Sequence, residues 1–200
     1  MNLLSEVLSY TAGIIHFTAF IIYGACILKK TVKPCLATWL IWAYTCLLTL
    51  LSYDYIAKDW LKETVALSDS VGCLAVFLLC IGRHTFKKPD SAIFIGIFVV
   101  DVATSICWWI YGGSLAIYVI LQLSDMFSVI PSCRSAWENP KNEKLIVWIM
   151  WTVGYAISGV VVILRWQCFW DIVYQANFIV IHGAVAAVLI IKIARQKRNN

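Results

Sequence analysis

The chain has 200 residues, of which 62% are hydrophobic and only 14% charged, with mean hydropathy +0.81. Soluble domains are roughly 45–50% apolar and about 25% charged, so this composition excludes one and marks an integral membrane protein. The net charge of +5 follows the placement of basic residues at span ends, which speaks against a nucleic-acid-binding face.

Apolar runs near the roughly 20 residues that cross a bilayer recur along the chain at 6–28, 35–57, 64–82, 90–112, 114–133, 144–165 and 170–192. Backbone polar groups inside a bilayer must be satisfied within the segment, so each run is predicted to be a helix. The expected fold is an all-α integral membrane bundle of seven transmembrane helices. No Lys or Arg precedes the first run, which is long enough to span, so no cleavable signal peptide is expected. The first, third and fifth connections and the C-terminal tail hold thirteen of the sixteen Lys and Arg residues. The positive-inside rule then puts the N-terminus outside and the C-terminus in the cytoplasm. Short loops fit the bacterial inner membrane. Cysteines at 26, 35, 46, 73, 80, 107, 133 and 168 form no C-x-x-C pair and read as small buried hydrophobes. No metal and no cofactor is expected.

KPCLATWLIWAY (33–44) and NPKNEKLIVWIMW (139–151) each place a proline in a polar turn before a helix carrying W-x-x-W. Pro34 and Pro140 are 106 apart, as are Trp42 and Trp148. The same offset carries His16 onto Gln122 and Asp69 onto Gln175. This divides the chain into a three-helix repeat (1–82), a linker helix (83–113) and a second three-helix repeat with a basic tail (114–200), a parallel 3+1+3 order. A rival alignment exists, because Lys88-Pro89 resembles Lys33-Pro34 and LSD recurs at 67–69 and 123–125. It gives three hairpins plus one helix.

Ionisable residues within spans are functional candidates by default, because an unpaired charge there costs at least about 2.5–3.5 kcal/mol. Asp69, Asp101, Asp125, His16 and His182 qualify and are candidates for proton coupling, with Gln122, Gln175 and Asn177 as neutral polar company. Against that stand structural roles: backbone or water contacts for Asp69, an ion pair of Asp101 with a histidine, and interhelical hydrogen bonds for the histidines. Asp171 and Glu6 fall at outer span boundaries and are expected to be solvated. The ten tryptophans divide between the two interfaces as aromatic belts. Trp42 and Trp148 have a second reading, as facing indoles that stack on a substrate ring. Pro131, near the inner end of the fifth span, offers a hinge.

SVIPSCRSAWENPKNEKLIVWIMW (128–151) resembles the PQ-loop pattern of the SWEET and SemiSWEET sugar transporters: a helix ending in Ile-Pro-Gln, a short basic turn, then a helix with an early tryptophan. Ser132 stands where that family carries glutamine, and ILKKTVKPCLATWLIW lacks the matching proline. The nicotinamide-riboside-type vitamin transporters resemble the same layout. The resemblance implies alternating access, and an asparagine pair on the third and seventh helices contacting the solute. Asn177 matches one of these positions and Asp69 replaces the other. A carboxylate there suits a cationic or amine-bearing substrate, or a proton. The function expected is transport of a small polar solute (sugar, amino acid, nucleoside or vitamin), with Asn177, Asp69, Trp42, Trp148, Gln122 and Gln175 at the substrate. The expected partners are the lipid bilayer and that solute, and a homo-oligomer is left open. A seven-helix sensor or accessory protein is the alternative. An enzyme is not expected, since H-E-x-x-H and G-x-S-x-G are both missing.

Overall fold

A computed structural model describes residues 3–86, 91–111 and 114–199. Long helices account for nearly all of it: α1 (Leu3–Leu28), α2 (Leu36–Ala57), α3 (Trp60–Arg83), α4 (Ser91–Tyr111), α5 (Leu115–Ser128), α6 (Ile130–Glu138), α7 (Leu145–Leu164) and α8 (Trp170–Asn199), with a 3-10 turn at Pro140–Asn142. Six helical stretches are long and apolar enough to cross a membrane, with α5 and α6 together forming one of them, and Phe98–Tyr111 adds a shorter apolar helix. The chain is a multi-pass membrane protein.

Small, polar and aromatic side chains share the buried faces of the helices, and aliphatic and aromatic ones cover the exposed faces. On α1, Leu3, Val7, Tyr10, Ile14, Phe17 and Ile21 follow a three-and-four spacing down the exposed face. Ser5, Ser9, Ala12, His16, Ala19 and Tyr23 occupy the buried face. Lipid tails are as apolar as leucine, so exposing leucine there costs nothing, and interhelical hydrogen bonds plus close packing hold the bundle. Ser9 Oγ donates to the Leu61 carbonyl at 2.7 Å, tying α1 to α3. Gly72 of α3 lies under the Phe20 ring of α1, where a Cβ would come within 2.3 Å of a ring carbon.

Each helix packs on a defined pair of neighbours. The order around the bundle is α1, α3, α2, the α5–α6 unit, α8 and α7, which returns to α1. Helix α4 stands outside this ring against α5 and α2. At one end the loops before α2 and α7 meet, where Lys33 N–H donates to the Asn142 carbonyl at 2.9 Å. At the opposite end Arg165, just after α7, donates to Asp59, just before α3, at 2.6 Å.

Pro131 departs from expectation. The span does not end at 133: after Val129 the helix resumes as α6, with Pro131 in its first turn, and runs to Glu138. Proline lacks an N–H, and the Phe127 carbonyl four residues back receives the Val129 N–H instead. A proline is tolerated in a first helical turn, where the amide has no intrahelical partner anyway. Arg134 and Trp137 therefore ride on a helix, and the turn itself is 139–144.

Candidate functional site

The centre of the ring is aromatic. Trp39, Trp42, Trp148 and Trp151 are all at most 1% exposed, so the belt reading fails for these four. At the other end Trp60, Trp109 and Trp166 are at least half exposed. Trp42 and Trp148 meet edge to face at 6.3 Å between centroids, and His182 lies within 5.6 Å of both. Edge-to-face pairing is the favourable geometry for two indole quadrupoles. Trp42 Nε1 donates to Ser128 Oγ at 2.5 Å, and Trp148 Nε1 to Glu143 Oε2 at 3.0 Å. Among the described residues, Trp151 Nε1 has no hydrogen-bond partner.

Beside this cluster lies Asp69, 1% exposed on α3. The Tyr155 hydroxyl donates to its Oδ2, and the Tyr174 hydroxyl approaches the same oxygen at 3.2 Å. Cys46 Sγ stands 3.6 Å from Oδ2, and Cys73 Sγ stands 3.5 Å from Oδ1. Every one of these partners is uncharged in its ordinary protonation state. His16 packs edge-on against Tyr155 at 4.9 Å, and His182 stacks on the same ring at 5.3 Å. His16 Nδ1 bonds Ser68 Oγ at 3.1 Å, while its Nε2 is buried without a partner. His182 Nδ1 lies 2.9 Å from the Phe178 carbonyl. A carboxylate, two histidines and two phenols thus share one buried centre built by α1, α3, α7 and α8.

The other polar candidates form separate groups. Asp125 Oδ1 accepts from Thr45 Oγ1 at 2.6 Å across α5 and α2. Asp101 Oδ1 accepts from Ser124 Oγ across α4 and α5. Asp101 Oδ2 is buried without a hydrogen-bond partner among the described residues. Among the described residues Asp101 thus pairs with a serine and not with a histidine. Asn177 Nδ2 donates to the Gln122 carbonyl at 2.8 Å and to its Oε1 at 3.0 Å. These two residues line an apolar crevice of about 410 Å³ between α5 and α8, bordered by Leu123, Met126, Phe169 and Val180. Asn177 therefore pairs with Gln122, whereas Asp69 faces the tyrosines. Gln175 Nε2 reaches Tyr53 Oη at 3.1 Å and Ser158 Oγ at 3.4 Å.

Asp171 overturns its expected solvation. It is wholly buried and takes Lys62 Nζ at 2.6 Å, with the Gln167 and Cys168 N–H groups at 3.0 and 3.3 Å on the same oxygen. Glu143 is a further group that sequence reading passed over. It lies in the turn before α7 but folds inward to 5% exposure, accepting from Tyr23 Oη at 2.6 Å and from Trp148. Burial pushes its carboxyl up to about 7, against the pull of those two hydrogen bonds. Tyr155, Tyr174, Cys46 and Cys73 were also missed. Asp69 and Cys73 carried a signal, since four residues apart on a helix puts them on one face.

Comparison with protein-family models, curated proteins and solved structures finds no match.

Proposed function

We propose that this protein is a transporter of a small polar solute, working by alternating access, with Asp69 as its proton-coupling carboxylate. The observation that carries the reading is the Asp69 carboxylate itself: buried at the centre of a membrane bundle, held by two phenols and two thiols, with no cation among its contacts. A carboxylate so placed is expensive to keep as an unpaired anion. Trp42, Trp148 and the two histidines beside it supply planar faces on which a sugar or heteroaromatic ring can stack.

The packing supports two equivalent halves. The first would be α1, α2 and α3, the second the α5–α6 unit, α7 and α8, with α4 as the linker. Exchanging the halves turns the observed ring order into itself. Residues on a twofold axis touch their own equivalents, and two pairs 106 apart do so: Trp42 with Trp148, and Asp59 with Arg165. This is the offset read from the sequence, and it favours the 3+1+3 order over three hairpins. Transporters built from parallel repeats move by rocking one unit against the other. The break at Val129–Pro131 lies within the second unit's first crossing stretch, between α5 and α6, a suitable place to bend. The basic end, where Lys33 and Asn142 meet, is taken as cytoplasmic. The resemblance to the PQ-loop transporters agrees with this layout, though the solute partner of Asp69 need not be a sugar.

The test is a thermal-shift screen of the purified chain against sugars, amino acids, nucleosides and vitamins, followed by uptake of the best ligand into proteoliposomes. A true ligand at 100 times its Kd stabilises the native state by about 2.7 kcal/mol. Uptake driven by a pH gradient should vanish in Asp69→Asn. Uptake that survives the substitution would remove Asp69 from coupling, and a screen without a single shift would remove the transport reading.

A further inference from the structure

The Asp69 centre has a property that neither proton coupling nor solute stacking uses. Cys46 of α2 and Asp69 and Cys73 of α3 bring two thiols and a carboxylate together, all three buried and with their ligand atoms within 4.8 Å of one another. The two sulfurs are 3.8 Å apart, with Cys46 Sγ 3.6 Å from Oδ2 of Asp69 and Cys73 Sγ 3.5 Å from Oδ1. Metal bonds of about 2.3 Å to sulfur and 2.0–2.2 Å to oxygen, at tetrahedral angles, require separations of about 3.8 Å between sulfurs and about 3.5–3.7 Å from sulfur to oxygen. The two sulfurs therefore stand at the edge length of a tetrahedral site, and the Asp69 carboxylate faces both of them, one oxygen toward each.

The surroundings fit a ligand set. Tyr155 and Tyr174 both engage Oδ2 of Asp69, and such outer hydrogen bonds orient ligating carboxylates. Ser70 Oγ donates to the Cys46 carbonyl at 2.9 Å, fixing α2 against α3 where the two cysteines meet. Gly72, beside Cys73, admits the Phe20 ring and lets α1 close over the group.

We propose that Cys46, Asp69 and Cys73 bind a thiophilic transition-metal cation of the Zn²⁺ class, with the fourth tetrahedral position open to an exchangeable ligand. Two thiolates select such ions over Mg²⁺ or Ca²⁺, which demand oxygen. Binding displaces the two thiol protons, so occupancy rises with pH. Two thiolates and a carboxylate carry three negative charges, of which a divalent cation cancels two. The Tyr155 and Tyr174 hydroxyls disperse part of the remainder. The site shares Asp69 with the proposed transport role, and entry of the ion from water rests on the opening that role requires.

The experiment is a titration of the purified full chain with Co²⁺ under a non-thiol reductant, followed by displacement with Zn²⁺. The expected result is one equivalent of Co²⁺ bound with thiolate-to-cobalt charge-transfer absorption, stronger at pH 8 than at pH 6 and abolished by Zn²⁺. Cys46→Ser and Cys73→Ser should each remove the absorption, while Cys133→Ser, whose thiol lies elsewhere, should keep it. Tyr155→Phe should weaken affinity about 10–100-fold. Wild-type protein giving no thiolate absorption would overturn the proposal without recourse to any variant, as would absorption that persists in the Cys46→Ser/Cys73→Ser double variant. The two readings separate cleanly. Cobalt silence with Asp69-dependent uptake ends the metal site alone. Cobalt binding with uptake indifferent to Asp69→Asn ends the coupling role alone.

Discussion

Asp171 and Asp69 are both fully buried carboxylates of one bundle, and their surroundings are opposite. Asp171 has a lysine at 2.6 Å and two backbone N–H donors on the oxygen that meets it. Asp69 has phenols and thiols but no cation among its contacts. A buried ion pair whose hydrogen bonds are all made is a structural clamp, because removing either partner strands the other charge. A buried carboxylate with neutral neighbours is free to change protonation state or accept a cation, because nothing fixed opposes the change. Burial alone thus does not separate architecture from chemistry in this bundle. The charge of the partner does.

The comparison breaks most visibly at Lys62. Lys62→Met should destabilise the fold by about 3–5 kcal/mol by leaving Asp171 unpaired, read as a large drop in the apparent melting midpoint in detergent. Lys62→Met/Asp171→Leu should recover most of that loss, since an apolar pair of similar volume replaces the clamp. A single variant as stable as the wild type would mean that Asp171 is not a structural anion.

Glu143 sits between the two extremes, buried like both but held by Tyr23 and Trp148 rather than by a cation. Burial raises its carboxyl from an ordinary 4.5 to about 7 in the folded chain. Between those values the native state keeps a proton that the unfolded chain has released. Stability is therefore fully present below about pH 4.5, falls as pH rises to about 7, and is level beyond. The span of the loss is about 3 kcal/mol at 1.36 kcal/mol per unit. Both donors converge on Oε2, so a glutamine carbonyl can replace it. Glu143→Gln should flatten the melting midpoint across that window, whereas a slope unchanged in the variant would assign the titration elsewhere.

What the sequence disclosed divides along the same line. Helices and their apolar character are local properties, and every predicted span contains a helix in the described residues. Whether Asp171 is solvated depends on Lys62, 109 residues away, and hydropathy at a span boundary carries no trace of that pairing. Trp39 and Trp148 read as belt residues by depth, but depth along a helix does not say which face points inward, and both point in. Asp69 was visible because a charge within an apolar run is locally anomalous. Its cysteines were not, because Cys46 and Cys73 lie on different helices and each alone is an ordinary small core residue. Pro131 was legible as a break, but its place inside a resumed helix depends on α6 packing against α8.

The smallest effect on stability is expected where the effect on function is largest. Asp69→Asn keeps a carbonyl oxygen where Oδ2 accepts from Tyr155 and Tyr174, and places an amide where, among the described residues, Oδ1 meets Cys73. No charge is stranded by the change, in contrast to Lys62→Met. One weak thiol hydrogen bond is altered, so the melting midpoint should move by no more than about 1 kcal/mol of stability. The same substitution removes the titratable oxygen and a metal ligand, so proton-driven uptake and cobalt absorption should both fall sharply. Measured together, a near-native midpoint with lost activity marks Asp69 as a chemical group. A collapse as deep as that of Lys62→Met would make it a second clamp, and the contrast between the two carboxylates would dissolve.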